Sequence, residues 1–419
     1  MEDNMEINKL KIKDFEVYHI LSSKFKTFTI GIYFLSPLVE KELAYKSILS
    51  NYLTKYNEFH QSEKDLSIYL KKLYGMNLFC SYGRTGLVTS MNFVVRSIND
   101  KFLSEDEHLL DKAVEILNDT INHPFFDETL IDLEKKLLIE DIKRLYDNKS
   151  QYATKRFIDL MMPNEKCHFS SIGTIEAVEQ IDLDNLLKSY QKMLSNQKII
   201  YVIGDFKEQE IVNAFERLEV MPSVSETLDF IDYETKEISK VNEVIEEQKN
   251  RQSIVLMGYR SEIRVKDKLY EPMLVLSGML GGFFHSTLFQ EIREKRSLAY
   301  SINCDYNPRK GNFAIFAGIS ASKYDEFKEV VGKIIDDYKN GLFEDDVITL
   351  TKKAIITSIY KTADQQTYGV QFIINELAGI KARTIEEKVE SINAVTKDEL
   401  IEAAKCLKLD TIYLLKGTL

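Results

Sequence analysis

The 419-residue chain has no tryptophan, only four cysteines and only six histidines. The lack of tryptophan excludes nothing, but the other scarcities do. Cys80, Cys167, Cys304 and Cys406 lie far apart with no paired spacing. That pattern argues against a disulfide framework and points to buried thiols in a reducing, cytoplasmic setting. His19, His60, His108, His123, His168 and His285 include no pair four apart, so no helix presents two imidazoles on one face to a metal. No apolar run approaches the ~20 residues of a membrane helix. The first residues, Met1-Glu-Asp-Asn-Met5, do not begin a cationic segment followed by an apolar one, so no signal peptide is expected. Basic residues number 55 against 66 acidic ones, a net charge of −11. Nucleic acid is therefore a poor candidate for the main partner, because phosphate binding rests on Lys and Arg. Gly278-Met-Leu-Gly-Gly282 is not followed by Gly-Lys-Ser/Thr and is no phosphate loop.

The remaining composition, 44% apolar and 29% charged, is that of a soluble globular protein. Its length suits two or three domains. Phe15–Leu21 and Thr27–Leu35 alternate like strands, the latter ended by Ser36-Pro37. From Glu40 to Phe59, Leu43, Ala44, Ile48, Leu49, Tyr52, Leu53 and Tyr56 recur with helical period. A second helix, Lys64–Leu73, stops at Tyr74-Gly75, and Asn77–Tyr82 with Leu87–Arg96 form a hairpin around Gly83–Gly86. Helices are expected at about 105–122, 127–147 and 151–162, then a buried strand at Ile199–Gly204.

The second half repeats this order. Phe126-Asp-Glu-Thr-Leu-Ile-Asp-Leu-Glu-Lys-Lys-Leu-Leu138 matches Phe343-Glu-Asp-Asp-Val-Ile-Thr-Leu-Thr-Lys-Lys-Ala-Ile355. Thr174–Ile181 matches Thr384–Ile392, and Ile200-Tyr-Val-Ile matches Ile412-Tyr-Leu-Leu. Three such pairs in one order mark a duplication. The expected fold is α+β, two homologous units each with a mostly antiparallel sheet covered by helices. The expected boundaries are 1–221, a polar connecting segment at 222–251, and 252–419.

One stretch, Gly281-Gly-Phe-Phe-His-Ser-Thr-Leu-Phe-Gln-Glu-Ile-Arg-Glu-Lys-Arg-Ser-Leu-Ala-Tyr300, carries the functional signal. The glycines permit a left-handed turn or a close backbone approach. Leu288, Ile292 and Leu298 can share a helical face, and from Tyr300 the period changes to that of a strand. Arg296 and Tyr300, four apart, can then point the same way. A guanidinium beside a phenol suits a carbonyl or carboxylate. The stretch resembles the second half of the M16 (pitrilysin and processing-peptidase-like) metallopeptidases, with Ser297 where that family usually has glycine. With the duplication, the resemblance covers nearly the whole chain, and it implies two M16-type halves forming a clam-like unit.

M16 enzymes bind zinc through His-x-x-Glu-His on the first long helix. Here those positions fall on Tyr45, Ile48 and Leu49. His60-Gln-Ser-Glu63 is followed by Lys64, whose ammonium offers a metal no lone pair. Glu134, Glu140 and Asp141, in the region of the family's distal carboxylate ligand, read as a solvated helix face. The resemblance therefore implies a catalytically incomplete subunit with no zinc of its own. It would pair with a homologous, zinc-bearing M16 chain and lend Arg296 and Tyr300 to peptide binding. It also allows a pseudoenzyme scaffold or binding chamber, such as the M16-like proteins associated with bacterial elongation factor P modification. A homodimeric peptide-binding protein is a third reading.

Overall fold

The computed structural model describes residues 6–105, 107–224 and 226–419; the side chain of Cys167 also lies outside the described set. Among the described residues eleven strands make two sheets. The first holds β1 (Glu6–Ile12), β2 (Phe15–Leu21), β3 (Thr27–Pro37), β4 (Asn77–Thr85), β5 (Val88–Ile98) and β6 (Gln197–Gly204), in the order β1-β2-β6-β3-β5-β4. The second holds β7 (Asn242–Gln248), β8 (Ser253–Arg260), β9 (Ala299–Asn307), β10 (Asn312–Ile319) and β11 (Lys408–Gly417), in the order β7-β11-β8-β10-β9.

Setting β1 aside, the two orders correspond strand for strand. Each sheet contains one parallel pair, β2 with β6 and β7 with β11, and its other pairs are antiparallel. The correspondence corrects one expectation. Part of the segment read as a connector, 242–248, is β7, the counterpart of β2. Its sequence, Asn-Glu-Val-Ile-Glu-Glu-Gln, hid this because an edge strand half in water buries little and needs few apolar residues.

The helices needed here from the first half are α1 (Leu43–Tyr52), α2 (Glu63–Lys72), α3 (Leu109–Asn122), α4 (Glu128–Asp147) and α5 (Lys149–Met161). On the first sheet, α1 and α3 bury Ile48, Leu49, Tyr52, Val114 and Leu117 in one core with Ile30, Phe93 and Val95. The long helix read over 40–59 is shorter than expected, because the chain turns after Leu53 and Asn57 bridges to Pro124.

The compact units are not the contiguous halves read from the sequence. One comprises residues 1–144, 169–230 and 366–374, the other 145–168, 231–365 and 375–419. Thus α5, encoded in the first half, belongs to the second unit. There Ala153, Phe157 and Met161 pack on Leu256, Tyr413 and Leu415. In return, Gln366 donates to the Thr27 carbonyl (2.8 Å) and accepts from Thr29 (3.0 Å), and Tyr368 and Val370 are buried. Gly258 on β8 makes room for α5. A Cβ there would meet Met161 Sδ at 2.5 Å and Phe157 Cζ at 2.6 Å. Gly258→Ala should therefore destabilise the protein by ~1–3 kcal/mol, read as a lower denaturant midpoint with an unchanged slope.

Candidate functional site

The helix Tyr270–Ser277 runs into a π-helical turn, Gly278–Gly282. Neither Gly281 nor Gly282 has a positive φ. Gly281 is required for close approach, since a Cβ there would collide with Cys304 Sγ and lie 3.0 Å from the Cys304 amide nitrogen on β9. The thiol is thereby sealed, and burial pushes its pKa up. Phe283 stacks on His285, 5.3 Å between centroids, and His285 Nε2 lies 3.0 Å from Thr351 Oγ1. Desolvation holds the His285 pKa below its ordinary value.

The following helical segment, Phe289–Lys295, is also π-wound. Leu288, Ile292 and Leu298 are buried in the second core, as their spacing predicts. The segment ends with Ser297 at φ +50°, where the Leu298 amide reaches back to the Ile292 carbonyl at 2.8 Å. This left-handed position is the physical reason a glycine would suit it. Arg296 folds back over the turn and donates through Nη1 to the Glu291 carbonyl oxygen at 3.0 Å and to the Glu291 carboxylate. Lys295 Nζ meets the same carboxylate at 2.6 Å. Hydrogen bonds from Lys295 and then Arg296 hold the Glu291 pKa below the usual carboxylate range.

Tyr300 is placed by a β-bulge. Gly318 pairs with Ser301, while Ile319 pairs with Ala299, so Tyr300 is the extra residue. The bulge breaks the in-out alternation of β9, leaving Tyr300 and Ser301 both exposed between buried Ala299 and Ile302. Tyr300 is 63% exposed, and its hydroxyl shares a hydrogen bond with Ser320 Oγ at 3.0 Å. The chain leaves the helix at Ser297, between Arg296 and Tyr300, where the sequence placed the change from helix to strand. Arg296 folds over a helix end, and Tyr300 stands on the edge strand β9. The bulge and the π-turns had no signal in local periodicity.

The zinc-motif positions hold no donor set. Ile48 and Leu49 are core residues, and among the described residues no three His, Cys, Asp or Glu side chains gather as a metal site. Next to Tyr45, Lys46 is buried and bonds Ser36 Oγ (2.7 Å), Thr89 Oγ1 (2.9 Å) and Glu42 (3.0 Å). Desolvation lowers its pKa. Glu140 and Asp141 are exposed as expected, but Glu134 is not. It is buried and pairs with Lys55 at 2.7 Å, because it lies on the same buried face of α4 as Ile131 and Leu138. His60 is likewise occupied, bonding Asp65 at 2.9 Å and stacking on Tyr69. These residues do not fit zinc.

The duplicated sheets and this motif have counterparts among known proteins. Residues 180–355 match the family model described as "Peptidase M16 inactive domain". The chain is 28% identical over 422 residues to the "Probable inactive metalloprotease YmfF" of Bacillus subtilis, covering 98% of each chain. It superposes on the crystal structure of a conserved protein from Enterococcus faecalis with a TM-score of 0.92 at 25% identity, covering 98% of this chain and 99% of that one. An M16 inactive-domain structure from Pseudomonas fluorescens shares the fold, with a TM-score of 0.80 at 15% identity and 99% coverage of both chains. No helix among the described residues is long and apolar enough to cross a membrane.

Two outcomes follow from these environments. A left-handed non-glycine costs roughly 1–2 kcal/mol, offset in part by glycine's larger unfolded-state entropy, so Ser297→Gly should stabilise by ~0.5–1 kcal/mol and raise Tm. Asp119 on α3 is held at about 6, against an ordinary 3.8, by burial first and then by Glu115. Its folded pKa is raised, so the native state holds more protons between those values, and this contribution to stability falls as pH rises from about 4 to 6. Chemical denaturation at several pH values should show Asp119→Asn losing that slope and gaining relative to wild type above pH 6.

Proposed function

We propose that this chain is a non-catalytic M16 subunit that grips peptides for a homologous chain bearing His-x-x-Glu-His, with Tyr300 and Arg296 as the gripping groups. The observation that carries this reading is the bulge at Tyr300. It puts a phenol hydroxyl on the exposed end of an edge strand, in a chain whose own α1 carries no metal donors. Among the described residues β9 pairs only with β10, so its outer backbone edge is available to an extended peptide that adds as a strand. A peptide carbonyl arriving there can accept from Tyr300, and the unused edge of Arg296 can meet a second oxygen. Zinc, if the pair uses it, belongs to the partner, and the residues of this chain hold and orient the peptide.

A specific observation favours a second reading, binding without hydrolysis. Arg296 is already engaged by Glu291 and stabilises the end of its own helix, a structural duty that needs no substrate. The two readings part on one measurement, peptide hydrolysis by the reconstituted pair. Losing a preorganised donor costs ~10²–10³ in turnover. Tyr300→Phe should show that loss with assembly and thermal stability unchanged, since it removes only a hydroxyl from an exposed ring. Full activity in an assembled Tyr300→Phe pair would discard the catalytic role and leave the binding one.

A further inference from the structure

Lys198 is a charge in a row built for apolar side chains. It pairs with Phe34 of β3 and, by the alternation of a strand, shares a face of β6 with Ile200 and Val202. Ile200, Val202 and Phe34 all belong to the first core. The half-buried side chain ends in a notch lined by Ile32, Phe34, Ile121, Leu194, Val220 and Met221. There Nζ donates to the Asn196 carbonyl at 2.9 Å and to Ser223 Oγ at 3.1 Å, 5.8 Å from the centre of the Phe34 ring. Among the described residues no carboxylate pairs with it, and Glu219, the acid in the lining, meets His123 at 3.3 Å. The internal repeat differs here. Ile200 corresponds to Ile412, so Lys198 corresponds to Asp410, whose charge is met by Arg260 and Lys236.

A half-buried ammonium without a counter-ion is costly, and burial pushes the Lys198 amine down to about 8. Two other lysines are pushed the same way, but Lys46 is buried against Glu42 and Lys352 has Glu399 nearby. At about pH 7.5 roughly a quarter of Lys198 is free amine, against ~0.1% of an ordinary lysine with a pKa of ~10.4. A desolvated amine of this kind is a nucleophile. Turning it into a neutral amide removes the buried charge and keeps both hydrogen bonds. The amide N–H donates to Asn196, and the Ser223 hydroxyl turns to donate to the new carbonyl oxygen. An acyl group with a carboxylate of its own would instead set a second negative charge beside Glu219 in an apolar notch.

We propose that Lys198 is an acetylation site, taking a short neutral acyl group from an acyl phosphate or an acyl thioester. The Nζ lone pair attacks the acyl carbon and forms the amide C–N bond. The C–O or C–S bond breaks, phosphate or thiolate leaves with the electron pair, and the Nζ proton passes to water.

The test gives the full chain a trace of acetyl phosphate, or of an acetyl thioester, and follows each lysine by peptide mass spectrometry. A less basic amine is also a weaker nucleophile, about tenfold over this range for a Brønsted slope of ~0.4–0.5 like that of thiols. Set against a ~200-fold excess of free amine, this leaves Lys198 labelled about ten times faster than the median lysine at neutral pH. In the urea-unfolded chain the advantage should vanish. In the native chain the Lys198 rate should level off above about pH 8 while the other lysines keep accelerating. The reagent that labels it identifies the donor class, and a succinyl thioester should show no preference for Lys198. Labelling at the median rate with both acetyl donors, an advantage that survives in urea, or an equal preference for the succinyl group would overturn the site.

Discussion

A buried arginine organises the second unit. Arg260, at the end of β8 and 4% exposed, donates to Asp410 on β11 at 2.9 Å, to Glu165 at 2.5 Å and to the Met161 carbonyl at 2.9 Å. Asp410 also meets Lys236 at 3.0 Å. A guanidinium taken out of water must find acceptors for its donors, and removing one partner of such a cluster costs ~3–5 kcal/mol. These acceptors come from the last turn of α5, the loop after it and the C-terminal strand. One charge thus fixes where α5 ends and how β11 lies beside β8. The apolar contact of Phe157 and Met161 over Gly258 is set by that anchorage. At the other side of the same sheet, Glu246 on β7 accepts from Arg156 at 2.7 Å and from Tyr152 at 3.1 Å, so α5 is held along its length.

With the sheet so fixed, its other edge is free to carry irregular geometry. β9 bears the bulge at Tyr300, and the segment before it contains two π-turns and a left-handed serine. Such features persist where surrounding packing over-determines them, and here Leu288, Ile292, Leu298 and the Gly281–Cys304 contact supply that packing. In the first half the corresponding helix region is closed. Ile48 and Leu49 enter the core, Lys46 bonds hydroxyls of β3 and β5, and Glu134 is neutralised by Lys55. The repeat is thus asymmetric, closed at this place in the first half and irregular in the second.

Much of this was legible residue by residue, and the misses have physical causes. The buried face of Leu288, Ile292 and Leu298 follows from helical spacing. The strands β2, β3, β5 and β6 follow from alternation or from unbroken apolar runs. β7 escaped because Glu243, Glu246 and Glu247 make an edge strand look like a linker, although Glu246 is needed there as an acceptor. Glu134 read as solvated because a lone carboxylate among lysines and leucines gives no hint that Lys55, 79 positions away, will neutralise it. Arg296 and Tyr300 read as lying on either side of a helix-to-strand junction, and spacing alone does not reveal the left-handed Ser297 and the bulge that shape it.

By itself, then, the sequence determined the duplication, the α+β character and the absence of a paired-histidine zinc motif, since these depend on composition, local period and residue identity. The tertiary structure decided which unit claims α5 and residues 366–374, where Tyr300 points, and that Leu342 is exposed while Phe125, its counterpart in the repeat, packs on the core. Those outcomes depend on which surface a segment meets after the chain has folded back. Two segments with the same period can meet different surfaces, so local pattern leaves the choice open.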